Sequence, residues 1–134
     1  MDRSIFLARV LGAALALIGF SIVLRADHVR DILKAFDGNP ALLYLAGLAA
    51  LSVGLAIVIG HNVWTLNWRI LVTLIGWVAL VKGIVILFAP LHMGALGDRI
   101  VAAPDALLGS GIFDGVLGLI LAACGFLARS PQKP

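Results

Sequence analysis

The chain has 134 residues, of which 62% are hydrophobic and 13% are charged, and its mean hydropathy is +1.11. In ordinary soluble domains about a quarter of the residues are charged, so this composition indicates an integral membrane protein. The formal charge of +3 comes from scattered basic residues, which argues against a nucleic-acid partner. The single cysteine, Cys124, excludes a disulfide framework.

Four apolar stretches are long enough for a helix to cross a hydrocarbon core about 30 Å thick. They lie near residues 5–24, 41–60, 70–89 and 106–128. No clean cleavage site follows the first stretch, so we predict a retained span rather than a signal peptide. The sequence therefore predicts an all-α fold over residues 1–134, a single transmembrane domain built as a four-helix bundle.

The segments between the spans have their own patterns. After the first span, Val29, Ile32, Leu33 and Phe36 follow helical spacing among charged residues, which predicts a short amphipathic helix in the membrane interface. A short connection between spans two and three carries two tryptophans, which we predict to be interfacial anchors. The third connection is rich in proline and glycine and predicts a loop. The two tryptophans are Trp64 and Trp68.

The orientation in the membrane rests on a small difference in basic residues. An even number of spans places both termini on one side, which holds five of these residues against four on the other. Because cytoplasmic loops carry the excess of lysine and arginine, we expect both termini in the cytoplasm of a multi-pass inner-membrane protein. The five are Arg3, Arg9, Arg69, Arg129 and Lys133, and the four are Arg25, Arg30, Lys34 and Arg99.

Every predicted span contains glycines seven residues apart. In the fourth span, Gly111 and Gly115 extend the series into a strip along one helix face. Small residues let helix backbones approach in lipid, and a spacing of 3.5 residues keeps the strip against a neighbour, so these glycines predict helix packing. The pairs are Gly12 and Gly19, Gly47 and Gly54, Gly76 and Gly83, and Gly118 and Gly125.

Three ionisable residues fall inside the predicted spans: Arg9, Lys82 and Asp114. Arg9 lies close enough to one end to reach the headgroups. Lys82 and Asp114 each lie eight residues from the same predicted membrane face, which predicts an intramembrane ion pair where spans three and four approach most closely. Such a pair would either hold the two helices in register or serve a path for a proton, an ion or a charged ligand. Alternatively, each charge has a separate partner, which could belong to another subunit.

Patterns of catalysis or metal binding are not evident in the sequence, so we expect no enzyme activity, no cofactor and no metal site. His28 with Asp31 supplies too few ligands for a metal. His61 and Asn62 are interpreted as a polar helix end rather than an acid–base pair.

The stretch Gly60–Gly83, with its GHNxW, W, GW and KG motifs, resembles a segment of small uncharacterised bacterial inner-membrane proteins. This resemblance implies a bacterial four-span protein and includes Lys82, but implies no activity. The chain is also similar in size to the small multidrug-resistance transporters. Those transporters depend on a glutamate in the first span, whereas this chain has no glutamate and carries Arg9 there.

Together these features predict a non-enzymatic accessory, assembly or structural subunit that packs against other membrane helices. We expect its partners to be the lipid bilayer and a homo-oligomer or larger membrane complex. The alternative is a small homodimeric transporter or ion-coupled permease that uses Asp114 and Lys82.

Overall fold

The computed structural model describes residues 2–37, 39–89, 99 and 102–128. The main helices are α1 (Arg3–Leu24), α2 (Ala26–Asp37), α3 (Pro40–Gly60), α4 (Arg69–Phe88) and α5 (Pro104–Leu127). Four of them, all except α2, are long and apolar enough to cross a membrane. The predicted all-α four-helix architecture is confirmed, and each predicted span ends within two residues of its helix.

Polar residues outside the apolar stretches set where two of these helices begin. The side chain of Asp2 accepts a hydrogen bond from the Ser4 backbone N–H and caps α1. Asn39 caps α3 in the same way, and Pro40 begins that helix because a first-turn residue needs no backbone donor. The amphipathic α2 fills the interval between the two spans. Most of the predicted third loop, with His92 and Asp98, lies outside the described residues.

The four long helices form two antiparallel pairs, α1 with α5 and α3 with α4. The antiparallel direction follows from the contacts, because Gly12 approaches Ala122 whereas Gly19 approaches Gly115. The glycine strips of spans three and four therefore do not pack on each other. The glycine strip of α5 packs on α1, and the strip of α4 packs on α3.

The two pairs meet in a small apolar core formed by Ala8, Ile57, Val72 and Leu121, one from each long helix. All four side chains are at most 3% exposed. They lie toward the end of the bundle where α1 and α4 begin and α3 and α5 end, which we call the terminal face. The other end, where α3 and α5 begin, is called the opposite face. The core therefore joins the helix pairs nearer to the terminal face.

Candidate functional site

The interface between α1 and α5 is a contact of backbone on backbone. A methyl group added to Gly19 would lie 2.6 Å from the Gly115 Cα, and one added to Gly12 would lie 2.8 Å from the Ala122 Cα. Neither position has room for a side chain, because the obstacle is a helix backbone. Gly115 differs, since its added methyl would make only an ordinary contact, 3.9 Å from the Gly19 Cα. Of the remaining glycines of this strip, Gly118 and Gly125 also face backbone atoms of α1, whereas Gly111 faces the Ile22 side chain.

The interface between α3 and α4 uses the same seven-residue spacing against larger residues. Methyl groups on Gly54 and Gly83 would lie within 2.7 Å of the Cα atoms of Leu80 and Leu51, respectively. The outer glycines instead face isoleucine side chains. They are Gly47, against Ile86, and Gly76, against Ile57. All ten glycines of the predicted strips therefore lie against a helix of the same chain.

A buried polar network crosses between the helix pairs at the terminal face. His61 Nε2 lies 2.9 Å from the Ser4 Oγ of α1, and His61 Nδ1 lies 3.3 Å from the Thr73 Oγ1 of α4. The Thr73 hydroxyl also lies 3.0 Å from the Val63 carbonyl oxygen, and it accepts from the Val63 N–H. Ser4, His61 and Thr73 are at most 3% exposed. Each ring nitrogen of His61 thus has a protein partner, and the network joins α1 to the α3–α4 pair.

The electrostatics of this network favour a neutral imidazole. Burial lowers the pKa of His61 below its usual value of 6.5; a backbone hydrogen bond and the Asp2 carboxylate oppose this effect, and the nearby Arg69 adds a small further lowering. Arg69 donates to Asp2 at 2.9 Å, so an ion pair spans the same two helices beside the histidine. The buried hydrogen bonds and the ion pair hold the start of α1 against the start of α4.

Arg9 contacts the last turn of α5. Its Nε donates to the Gly125 carbonyl oxygen at 2.8 Å, and its guanidinium lies 5.0 Å from the centre of the Phe126 ring. A cation near a helix C-terminus stabilises the carbonyl groups that lack helical partners there. The sequence indicated only that this side chain could reach the headgroups, whereas in the structure it also ties α1 to α5.

Lys82 and Asp114 belong to different helix pairs. The structure forms no salt bridge between them, although Lys82 lies close enough for its charge to act on the Asp114 carboxyl group. The lysine is exposed and the aspartate is half-buried. The observed helix ends also change their depths: Lys82 lies six residues before Phe88 and Asp114 lies ten residues after Pro104. They are therefore about one helical turn apart in depth instead of level.

Helical spacing places both charges on the sides of their helices that face the other pair. Asp114 lies seven residues before Leu121 and three before Leu117, and both leucines belong to the shared core or pack against it. Lys82 lies seven residues after Ile75, which also packs against that core. The charges thus lie beyond the core in the direction of the opposite face, and neither forms a salt bridge with another of the residues that the structure describes.

The two tryptophans have different surroundings. Trp64 is exposed, and its indole N–H donates to the Asn62 side chain at 2.6 Å. Trp68 is partly buried against the apolar core, and the Arg69 guanidinium lies 5.7 Å from its ring centre. Trp64 has the exposure that an interfacial anchor needs, whereas Trp68 also packs inside the bundle.

The polar network was missed from the sequence, although a signal was present. Ser4 begins the first span, His61 follows the second, and Thr73 lies near the start of the third, so all three belong to one membrane face. Polar groups at one depth of a bundle are candidates for mutual hydrogen bonding. The interpretation of His61 as a polar helix end did not use this placement.

Within the described ranges, no group of three or more histidine, cysteine or acidic side chains is arranged to hold a metal ion. Comparisons with known proteins identify no relative: no family model, curated protein or solved structure matches the chain. The functional interpretation therefore depends on the four apolar helices, which indicate a membrane protein, and on the residues described above.

Proposed function

We propose that this chain is an accessory or assembly subunit of a bacterial inner membrane, without catalytic activity, that packs against other membrane helices. Its termini lie in the cytoplasm, and it works in a homo-oligomer or a larger membrane complex. Four apolar helices support the membrane location, and the excess of basic residues on the terminal side supports the orientation.

The observation that carries this proposal is the pair of intramembrane charges, neither of which forms a salt bridge within the described part of the chain. Lys82 and Asp114 lie within apolar helices, where insertion of an unpaired charge costs about 2.5–3.5 kcal/mol at the membrane centre. An opposite charge on another subunit would offset this cost. The glycine strips are not available to another subunit, because helices of the same chain already pack on them: α1 on α5, and α3 on α4.

The closed His61 network supports a structural role. Its ring nitrogens are engaged by Ser4 and Thr73, and all three side chains are buried. A catalytic histidine must reach a substrate atom, so this arrangement fits a structural joint better than a reaction centre.

The test is purification from native membranes in mild detergent. Wild-type protein should retain a stoichiometric partner, and the neutral, similarly sized variant Lys82→Met with Asp114→Asn should lose it while remaining helical by circular dichroism. Lys34→Met with Asp31→Asn is the matched control, because it makes the same substitutions in α2. A wild-type chain that purifies as a monomer would contradict the proposal.

A second candidate is a small transporter or ion-coupled permease, which the position of Asp114 favours. This carboxyl group is half-buried near the middle of α5, on the side that faces the other helix pair. Intramembrane carboxylates of this kind serve as proton or cation sites. Purified protein in liposomes should then conduct protons, and Asp114→Asn should abolish the conductance. Equal proton leak in both proteins would exclude this function.

A further inference from the structure

The two intramembrane charges form a surface that is complementary to itself. Lys82 on α4 and Asp114 on α5 have opposite signs, and the lysine is exposed whereas the aspartate is half-buried. In a two-fold dimer, any contact from one residue to a second is repeated from the second to the first. A second copy can therefore neutralise both charges at once, with two ion pairs for one interface.

The depths of the two groups decide the orientation of that second copy. At about 1.5 Å per residue, Lys82 lies about 9 Å from the opposite-face end of its helix and Asp114 about 15 Å from the same end of α5. Two copies in the same orientation leave a gap of about 6 Å in depth, which the flexible four-carbon stem of lysine can span.

An inverted copy fits less well. Asp114 lies thirteen residues before Leu127, or about 20 Å from the terminal-face end of α5. In an inverted dimer, the terminal face of the second copy lies on the same membrane side as the opposite face of the first. Lys82 of one copy would then lie about 9 Å from that side and Asp114 of the other about 20 Å, a difference of about 11 Å. The charge geometry thus favours two copies with the same orientation.

We infer that two copies of the chain associate in the same orientation, with Lys82 of each paired to Asp114 of the other across a two-fold axis along the membrane normal. This inference rests on the proposed function and identifies the partner as the chain itself. The pairing places each lysine next to a carboxylate that its own chain does not bring within salt-bridge distance.

Charge reversal with two tagged copies tests the pairing between chains. Lys82→Asp alone or Asp114→Lys alone should reduce the dimer fraction on the order of tenfold, because each homodimer then opposes like charges. When the two variants are expressed together, each mixed dimer regains two opposite-charge contacts, and its yield should return to the wild-type level. Failure of the mixed dimer to form, with both variants inserted in the membrane, would overturn the inference.

Cysteine crosslinking provides a measurement that keeps both charges intact. In a Cys124→Ala background, Val78→Cys lies one turn from Lys82 on the same side of α4 and should crosslink between chains with a short thiol reagent. Val53→Cys is the matched control, because it is also exposed, and the α3–α4 contacts place it level with Leu80. No crosslink at Val78, or equal crosslinking at both positions, would contradict the dimer.

The outcomes for the partner and for the proposed function are separable. If the chain does not pair with itself but a foreign protein is retained and depends on Lys82 and Asp114, the dimer is wrong and the subunit role stands. If neither a second copy nor a foreign protein is retained, both proposals fail.

Discussion

The two helix pairs use the same glycine spacing in different ways. Between α1 and α5, Gly19 faces another glycine, so backbone meets backbone across the contact. Between α3 and α4, Gly47 faces the Ile86 side chain, which can change its conformation. One sequence pattern therefore supports both rigid contacts of backbone on backbone, which also occur at Gly54 and Gly83, and adjustable contacts with a side chain. Tolerance to a larger residue should therefore depend on what lies across the contact, and not on the glycine spacing alone.

The largest effect is expected where a glycine faces the backbone of the neighbouring helix. Gly19→Ala should lower the free energy of unfolding by about 3 kcal/mol, because the new methyl group meets the Gly115 backbone and the helices must separate. Denaturant titration in mixed micelles, followed by circular dichroism, measures this loss. Gly115→Ala is the control from the other side of the same contact and should stay within about 0.5 kcal/mol of wild type. Equal losses in both variants would remove the distinction.

A smaller effect is expected where a glycine faces a side chain. Gly47→Ala should lower the free energy of unfolding by about 1.5 kcal/mol, because a methyl group there would lie 2.7 Å from the Ile86 Cγ2. Ile86→Ala removes that atom, so the double variant should lose less than the sum of the two single losses by about 1 kcal/mol. Strict additivity in this cycle would show that the side chain is not the obstacle.

The His61 network that connects the two helix pairs should weaken on acidification. Because the folded pKa of His61 lies below 6.5, its contribution to stability is complete above that pH and is lost as the pH falls through the folded pKa. From about pH 7.5 to about pH 5, wild type should lose more of its unfolding free energy than His61→Asn does. Parallel pH profiles of the two proteins would show that His61 is not held neutral by burial.

The smallest effect is expected for the ion pair between Asp2 and Arg69, which lies beside the His61 network. Asp2→Asn keeps a good helix cap but removes the charge that Arg69 contacts, and it should lower stability by about 0.5 kcal/mol or less at low salt. The difference should shrink further in high salt, because both side chains are partly exposed. A loss above about 2 kcal/mol would mean that this ion pair, rather than the His61 network, is the main contact between the starts of α1 and α4.

Much of the architecture could be predicted from the sequence because the membrane imposes strong constraints. The length of the apolar stretches defined each span to within two residues, and the spacing of Gly12 and Gly19 indicated a packed helix face. The choice of neighbour could not be predicted in this way, since a strip of glycines fits any similar strip. Adjacency in the chain favoured α4 with α5, whereas the structure pairs α5 with α1.

The candidate site was harder to predict, because it depends on which helices are neighbours and on where each helix ends. The depth of Lys82 depends on where α4 ends, and a two-residue shift at a helix end changes the depth by about 3 Å. The His61 network depends on which helices meet at the terminal face, which requires the packing of all four spans. The sequence identifies polar and charged side chains in unusual places, such as Lys82 in a span, but which residues they contact depends on the tertiary structure.

Crosslinking within one chain tests the pairing of α1 with α5 most directly. In a Cys124→Ala background, Ala16→Cys with Ala122→Cys should form an intramolecular crosslink with a short thiol reagent, because both positions border the Gly12 and Gly118 contacts. Ala13→Cys with Ala122→Cys is the matched control, since Ala13 is exposed and should not crosslink. Efficient crosslinking only through position 16 is the predicted result. Crosslinking only through position 13, or through neither position in a folded protein, would contradict the pairing of the helices.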